Sequence, residues 1–191
     1  RQLMRIISGI AKGKKILDPD DKKTRPLKDI VRESIFNILH HSNLLNINFN
    51  ECILLDIFSG SGSFGLEAIS RGFQKVVFFE NYKNAIELLE KNLKILGFKD
   101  KAEIIKKNAY ETSAYENTKL KFNIVFIDPP FKDKSVNILL ENLLKNKIIN
   151  RETLIIIHRK KTVNESYIEQ FKLLRNEVYG SSKIIFGFID C

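Results

Sequence analysis

Between residues 52 and 158 five short apolar runs recur, Cys52 to Phe58, Val76 to Phe79, Ala102 to Ile105, Phe122 to Ile127 and Leu154 to His158, with helical stretches between them. Runs that stay apolar at nearly every position belong to strands buried on both faces, the state of a mainly parallel sheet covered by crossover helices. The clearest helix is Asn84 to Leu96, with Ala85, Leu89, Leu93 and Leu96 on one face and Gly97 placed to end it. After Tyr167 the spacing changes, and Phe171 to Val178 and Lys183 to Ile189, joined by Gly180, Ser181 and Ser182, predict a closing antiparallel hairpin.

Ahead of residue 50 the pattern differs. Met4 to Ile7 and Lys14 to Leu17 flank Gly9 and Gly13, which predicts a small hairpin, and Leu27 to His40 carries Val31, Ile35, Ile38 and Leu39 at helical spacing. The 191 residues suit one full domain with a short appendage. The expected organisation is therefore an amino-terminal extension over 1–50 and a main domain over 51–191.

Charge follows the same division. The net charge is +9, yet residues 1–28 alone hold nine positive and three negative side chains, while the remaining 163 residues hold 23 and 20. A basic arm on a nearly neutral body attracts a polyanion by releasing its condensed counterions, although a lysine-rich solvated surface has the same composition. No apolar run reaches the roughly 18 residues of a membrane span, and the start lacks a signal pattern, so no membrane association and a cytoplasmic location are expected. Cys52 and Cys191 have no metal-ligand or paired spacing, and His40, His41 and His158 form no cluster with them. No metal is expected.

The first apolar run ends in Asp56-Ile-Phe-Ser-Gly60-Ser-Gly62-Ser-Phe-Gly65. Its glycines match a dinucleotide-binding fingerprint and allow a sharp turn with close ligand approach. Asp56 sits where a carboxylate meets a ligand ammonium, a group that S-adenosylmethionine has and nicotinamide cofactors lack. Glu80 ends the second run at a spacing suited to ribose hydroxyls, and Asn108 and Ala109 follow the third, where a loop brackets an adenine ring. The fourth run enters Asp128-Pro129-Pro130-Phe131. The prolines fix φ near −65°, so the loop presents carbonyl and carboxylate acceptors in set directions. Acceptors that hold both hydrogens of an exocyclic amine aim its lone pair at a sulfonium methyl, and Phe131 stacks on the base.

Taken together, Arg5-Ile-Ile-Ser-Gly9, Gly13-Lys-Lys-Ile16, Arg25-Pro26, Val31-Arg-Glu-Ser-Ile-Phe-Asn37, the Asp56 to Ala68 loop, Glu80, Asn108-Ala109 and Asp128 to Phe131 resemble the RsmD-type methyltransferases. That family methylates the N2 amine of one guanine in 16S (small-subunit) ribosomal RNA using S-adenosylmethionine. The resemblance spans nearly the whole chain. It implies a Rossmann-like class I α/β fold with a seven-stranded, mostly parallel sheet, an antiparallel carboxy-terminal hairpin and an amino-terminal extension that grips RNA.

The resemblance also implies roles. Asp56, Phe58, Gly60, Gly62, Glu80, Asn81, Asn108 and Ala109 hold the cofactor, and Asp128, Pro129, Pro130 and Phe131 hold the guanine. Arg5, Lys12, Lys14, Lys15, Arg25 and Arg32 contact RNA, and the partner is ribosomal RNA or a small-subunit assembly particle. The chain departs from the family at His158, where relatives tend to place an acid; a buried or capping histidine is expected there. Arg159, Lys160 and Lys161 either touch phosphate at the rim or are solvated. Rival readings are an N6-adenine methyltransferase on DNA or RNA, a protein glutamine methyltransferase (disfavoured by Asp128 where those enzymes carry Asn), a non-catalytic RNA-binding assembly module, and an NAD enzyme.

Overall fold

The computed structural model describes residues 4–19, 27–44, 48–116, 118–130 and 132–190. Helix α1 (Asp29–His41) precedes β1 (Ile53–Ile57), α2 (Ser63–Ser70), β2 (Lys75–Phe79), α3 (Lys83–Leu96), β3 (Ala102–Ile105), β4 (Ile124–Ile127), α4 (Val136–Lys145), β5 (Leu154–Lys160), β6 (Phe171–Tyr179) and β7 (Ser182–Ile189). The seven strands form one sheet in the order β3-β2-β1-β4-β5-β7-β6. The first five run parallel, and β7 pairs antiparallel with both β5 and β6.

The continuous apolar runs have a direct cause. In β4, Ile124 and Phe126 enter one core while Val125 and Ile127 enter the other, and β5 divides Leu154 and Ile156 from Ile155 and Ile157 in the same way. Both faces of the strand are covered, so every position is apolar. Leu89, Leu93 and Leu96 of α3 pack on the first face, and Val136, Leu139, Leu140 and Leu143 of α4 on the second. Gly97 ends α3 in the left-handed conformation, with φ +73°.

The segment before β1 joins the first core. Phe36 of α1 stacks on Phe64 with ring centroids 4.9 Å apart, and Phe64 stacks on Phe126 at 3.8 Å. The expected hairpin is present as an antiparallel bridge between Arg5 and Lys15, flanked by Ile6 N–H donating to Lys14 C=O and Ile16 N–H to Met4 C=O. Its turn touches α2 so closely that a Cβ on Gly9 would lie 1.8 Å from the Ser70 carbonyl oxygen. Glycine is required there on steric grounds and by its φ of +83°.

Arg32 does not reach the surface. It is fully buried, donating to Arg5 C=O at 2.6 Å and Asp29 Oδ1 at 2.9 Å, with its Nε 3.8 Å from Glu67 Oε2. Glu67, equally buried, accepts the Ile7 and Ser8 amides at 2.8 and 3.0 Å. The expected RNA contact at Arg32 is thus corrected to an internal strut: its helix face also carries Val31 and Ile35, and Glu67 supplies the countercharge. Arg5, Lys12, Lys14 and Lys15 are exposed on the hairpin. Arg25 lies outside the described residues, as does Phe131.

Candidate active site

Because β1 to β5 are parallel, their carboxyl ends share one edge, and the strand order reverses between β1 and β4. A crevice opens at such a reversal and is the general place for ligands in open α/β sheets. Here it is a cavity of about 550 Å³ whose walls include Phe58, Gly60, Glu80, Asn81, Asn108, Asp128, Pro129 and Pro130.

The glycine loop leaves β1 through Phe58, which has a positive φ of 60°. Gly60 N–H donates to Glu80 Oε2 at 2.8 Å, tying the loop to the end of β2, and Glu80 Oε1 accepts the Asn81 and Tyr82 amides. Gly60 lines the cavity, and a Cβ on it would meet no protein atom within 4 Å. Gly62 caps α2 in the left-handed region, at φ +87°, packed against Leu89 and Phe78.

Asp56 departs from expectation. Its carboxylate is 1% exposed, is absent from the cavity wall, and accepts the Gly65 amide at 3.0 Å. By accepting an amide in the first turn of α2, Asp56 fixes the loop from beneath. Burial pushes its pKa well above the usual carboxylate range, with the charges of Asp128 and Glu80 adding to the rise and the Gly65 amide opposing it. Ala109 is likewise buried, its carbonyl accepting the Tyr115 hydroxyl at 2.6 Å, while Asn108 faces the cavity.

Asp128 stands at the end of β4 and also lines the cavity. His158 Nδ1 lies 2.7 Å from Asp128 Oδ1, and Nε2 lies 2.9 Å from Ser182 Oγ. Both His158 and Ser182 line the cavity. The loop after Asp128 is clamped from behind: Arg159 Nη2 donates to Asp133 C=O at 2.5 Å, Nη1 reaches Pro130 C=O at 3.5 Å, and Nε lies 2.8 Å from Glu165 Oε1. Asp133 N–H also donates to Pro130 C=O. The Pro130 carbonyl is therefore engaged within the protein, and Arg159, 1% exposed, is a strut and not a phosphate contact.

Sequence patterns did not single out several wall residues. Asp18 and Lys28 reach the cavity from the amino-terminal segment, and Asp18 accepts the Ser61 hydroxyl at 2.7 Å. Tyr110, whose hydroxyl donates to Asp133 Oδ2, lies 5.5 Å from Phe58 between ring centroids. Ser59 Oγ is buried without a hydrogen-bond partner on the same wall. The described residues contain no group of three His, Cys, Asp or Glu placed to hold a metal ion, and none of their helices is long and apolar enough to cross a membrane.

Residues 4–187 match the family model described as Conserved hypothetical protein 95. The ribosomal RNA small subunit methyltransferase D of Haemophilus influenzae is 33% identical over 178 residues, covering 93% of this chain and 89% of that protein. Its Escherichia coli namesake is 37% identical over 143 residues, 73% of this chain and 68% of that protein. The chain belongs to the RsmD family. The solved structure of Escherichia coli yhhF superposes with a TM-score of 0.80 at 29% identity, covering 98% of each chain. An O-methyltransferase family protein from Burkholderia thailandensis shares the fold at 9% identity and a TM-score of 0.62, covering 83% of this chain and 56% of that one. The chain thus has the class I methyltransferase fold, mostly parallel with an antiparallel carboxy-terminal hairpin.

Proposed function

We propose that this chain transfers a methyl group from S-adenosylmethionine to the exocyclic N2 amine of a guanine in 16S ribosomal RNA. The observation that carries the reading is Asp128, held by His158 at 2.7 Å in the wall of the cavity that the glycine loop also lines. The relatives named ribosomal RNA small subunit methyltransferase D support the RNA class.

The cavity suits the cofactor in three respects. Gly60 offers a wall with no Cβ, Ser59 Oγ is a buried polar atom awaiting a partner, and Asp18 and Lys28 bring opposite charges to the lining, as a zwitterionic amino-acid end requires. Glu80 and Asn81 would hold the ribose, and Asn108, with the rings of Phe58 and Tyr110, the adenine. Asp56 and Gly62 act indirectly by setting the loop. S-adenosylmethionine supplies an electrophilic methyl on a sulfonium, whose departure leaves a neutral thioether.

The protein's part is positioning. A carboxylate that receives a hydrogen bond from His158 is itself acceptor-only toward substrate. The Watson–Crick edge of guanine offers two adjacent donors, N1–H and N2–H, whereas adenine pairs its N6 donor with the N1 acceptor, so the edge matching Asp128 is that of guanine. Holding the amine hydrogens turns the nitrogen lone pair toward the methyl and lowers the cost of the charge that develops on nitrogen. A guanine inside folded RNA must be unstacked to enter. The exposed Arg5, Lys12, Lys14 and Lys15 would grip phosphates beside it.

The test is mass spectrometry of nucleosides after incubating the protein with S-adenosylmethionine and unmodified small-subunit particles. N2-methylguanine is expected; N6-methyladenine alone would defeat the base assignment.

A further inference from the structure

We propose that His158 is a positioning residue for Asp128, donating from Nδ1–H to Oδ1 so that the carboxylate stays turned toward the acceptor amine. The proposal rests on Asp128 being the amine's acceptor.

Both ring nitrogens of His158 have partners of defined kind. A carboxylate only accepts, so Nδ1 carries the hydrogen in the 2.7 Å contact, and the Ser182 hydroxyl, 2.9 Å from Nε2, donates to the remaining lone pair. One neutral tautomer is thereby selected. The residue is 5% exposed near the carboxyl end of β5, in a strand otherwise built of Leu and Ile up to that point, and it stands on the wall of the cavity.

Carboxylates crowd the strand ends, where the charges of Asp128 and Glu80 both push Asp56 toward its protonated form. A hydrogen bond from Nδ1 fixes the direction in which Asp128 presents its acceptor oxygens. Charged groups on the neighbouring strands and loop have partners of their own. Arg159 pairs with Glu165, Lys183 donates to Val163 C=O, and Asp133 accepts from Tyr110 and from the Ser135 amide.

The test combines spectra and kinetics. In protein labelled with 15N-histidine, His158 should show a protonated Nδ1 and a bare Nε2 near neutral pH, and Asp128→Asn should shift the Nδ1 resonance. His158→Leu should lower kcat by about ten- to a hundredfold while the affinities for S-adenosylhomocysteine and RNA hold. His158→Asn places an amide N–H near the Nδ1 position; it should restore most of kcat. A bare Nδ1, or a His158→Leu enzyme with unchanged kcat, overturns the proposal. If His158→Leu does not fold, the Asn variant's kcat and the tautomer of the unmodified protein decide. The tautomer needs no substrate, so methylation of another base would defeat the function proposed above and leave this result standing.

Discussion

Asn92 holds Leu17 by both ends of its amide, accepting the Leu17 N–H at 2.8 Å and donating to the Leu17 C=O at 2.9 Å, and the same Nδ2 reaches the Ser61 carbonyl at 3.0 Å. One buried side chain of α3 therefore fastens the amino-terminal segment to the glycine loop.

Asn92→Leu should destabilise the protein by about 1–3 kcal/mol, because the Leu17 and Ser61 groups lose their partner away from water. Denaturant midpoints measure the loss. Affinity for S-adenosylhomocysteine should fall in the same variant, since Ser61 lines the cavity; an unchanged affinity would uncouple the segment from the loop.

The Arg32 to Glu67 contact should behave as a buried ion pair. Glu67→Ala leaves Arg32 without its main countercharge and should cost about 3–5 kcal/mol, whereas converting both residues to apolar side chains of similar volume should recover part of that loss. Burial already lowers the Arg32 pKa, with Glu67 and Asp29 opposing the shift. Unfolding free energies of the single and double variants form the cycle that checks this.

Asp56 gives the stability a pH dependence of known sign. Its folded-state pKa is raised, so the folded chain binds the proton more tightly than the unfolded one. Stability from this group is greatest below the unfolded value near about 3.9 and declines as pH rises through the folded value. Asp56→Asn should remove that decline while keeping an acceptor for the Gly65 amide. Unfolding curves at acidic and alkaline pH should converge for the variant and diverge for the unmodified protein.

Much of the architecture was legible because burial on both faces leaves a plain mark: β1, β2, β4 and β5 read as apolar runs, and their ends carry Gly60, Glu80 and Asp128 to one cavity. What was illegible depends on distant partners. Arg32 reads as a surface cation until Glu67, far along the chain, is seen to face it; Asp56 reads as a ligand contact until the Gly65 amide is found to take it up. His158 shows no helical or strand periodicity of its own, and its meaning comes from Asp128 and Ser182, brought beside it by β4 and β7. Asp18 and Lys28 sit in a charged stretch whose pattern gives no hint that it borders the cavity.

The hairpin lysines make a separate, electrostatic prediction. Replacing Lys12, Lys14 and Lys15 with neutral residues should weaken RNA binding broadly and reduce the slope of log affinity against log salt by about 0.7–0.9 for each phosphate no longer neutralised. Binding titrations over a salt series measure it. An unchanged slope would remove the hairpin from the RNA interface.

The central claim, that Asp128 serves the acceptor base and not the cofactor, is tested most directly by measuring methyl transfer and S-adenosylhomocysteine affinity on one preparation of Asp128→Ala. The account predicts cofactor affinity within about threefold of the unmodified protein and transfer reduced by about 10³-fold. Transfer that survives the substitution, or cofactor affinity that falls along with it, would contradict it.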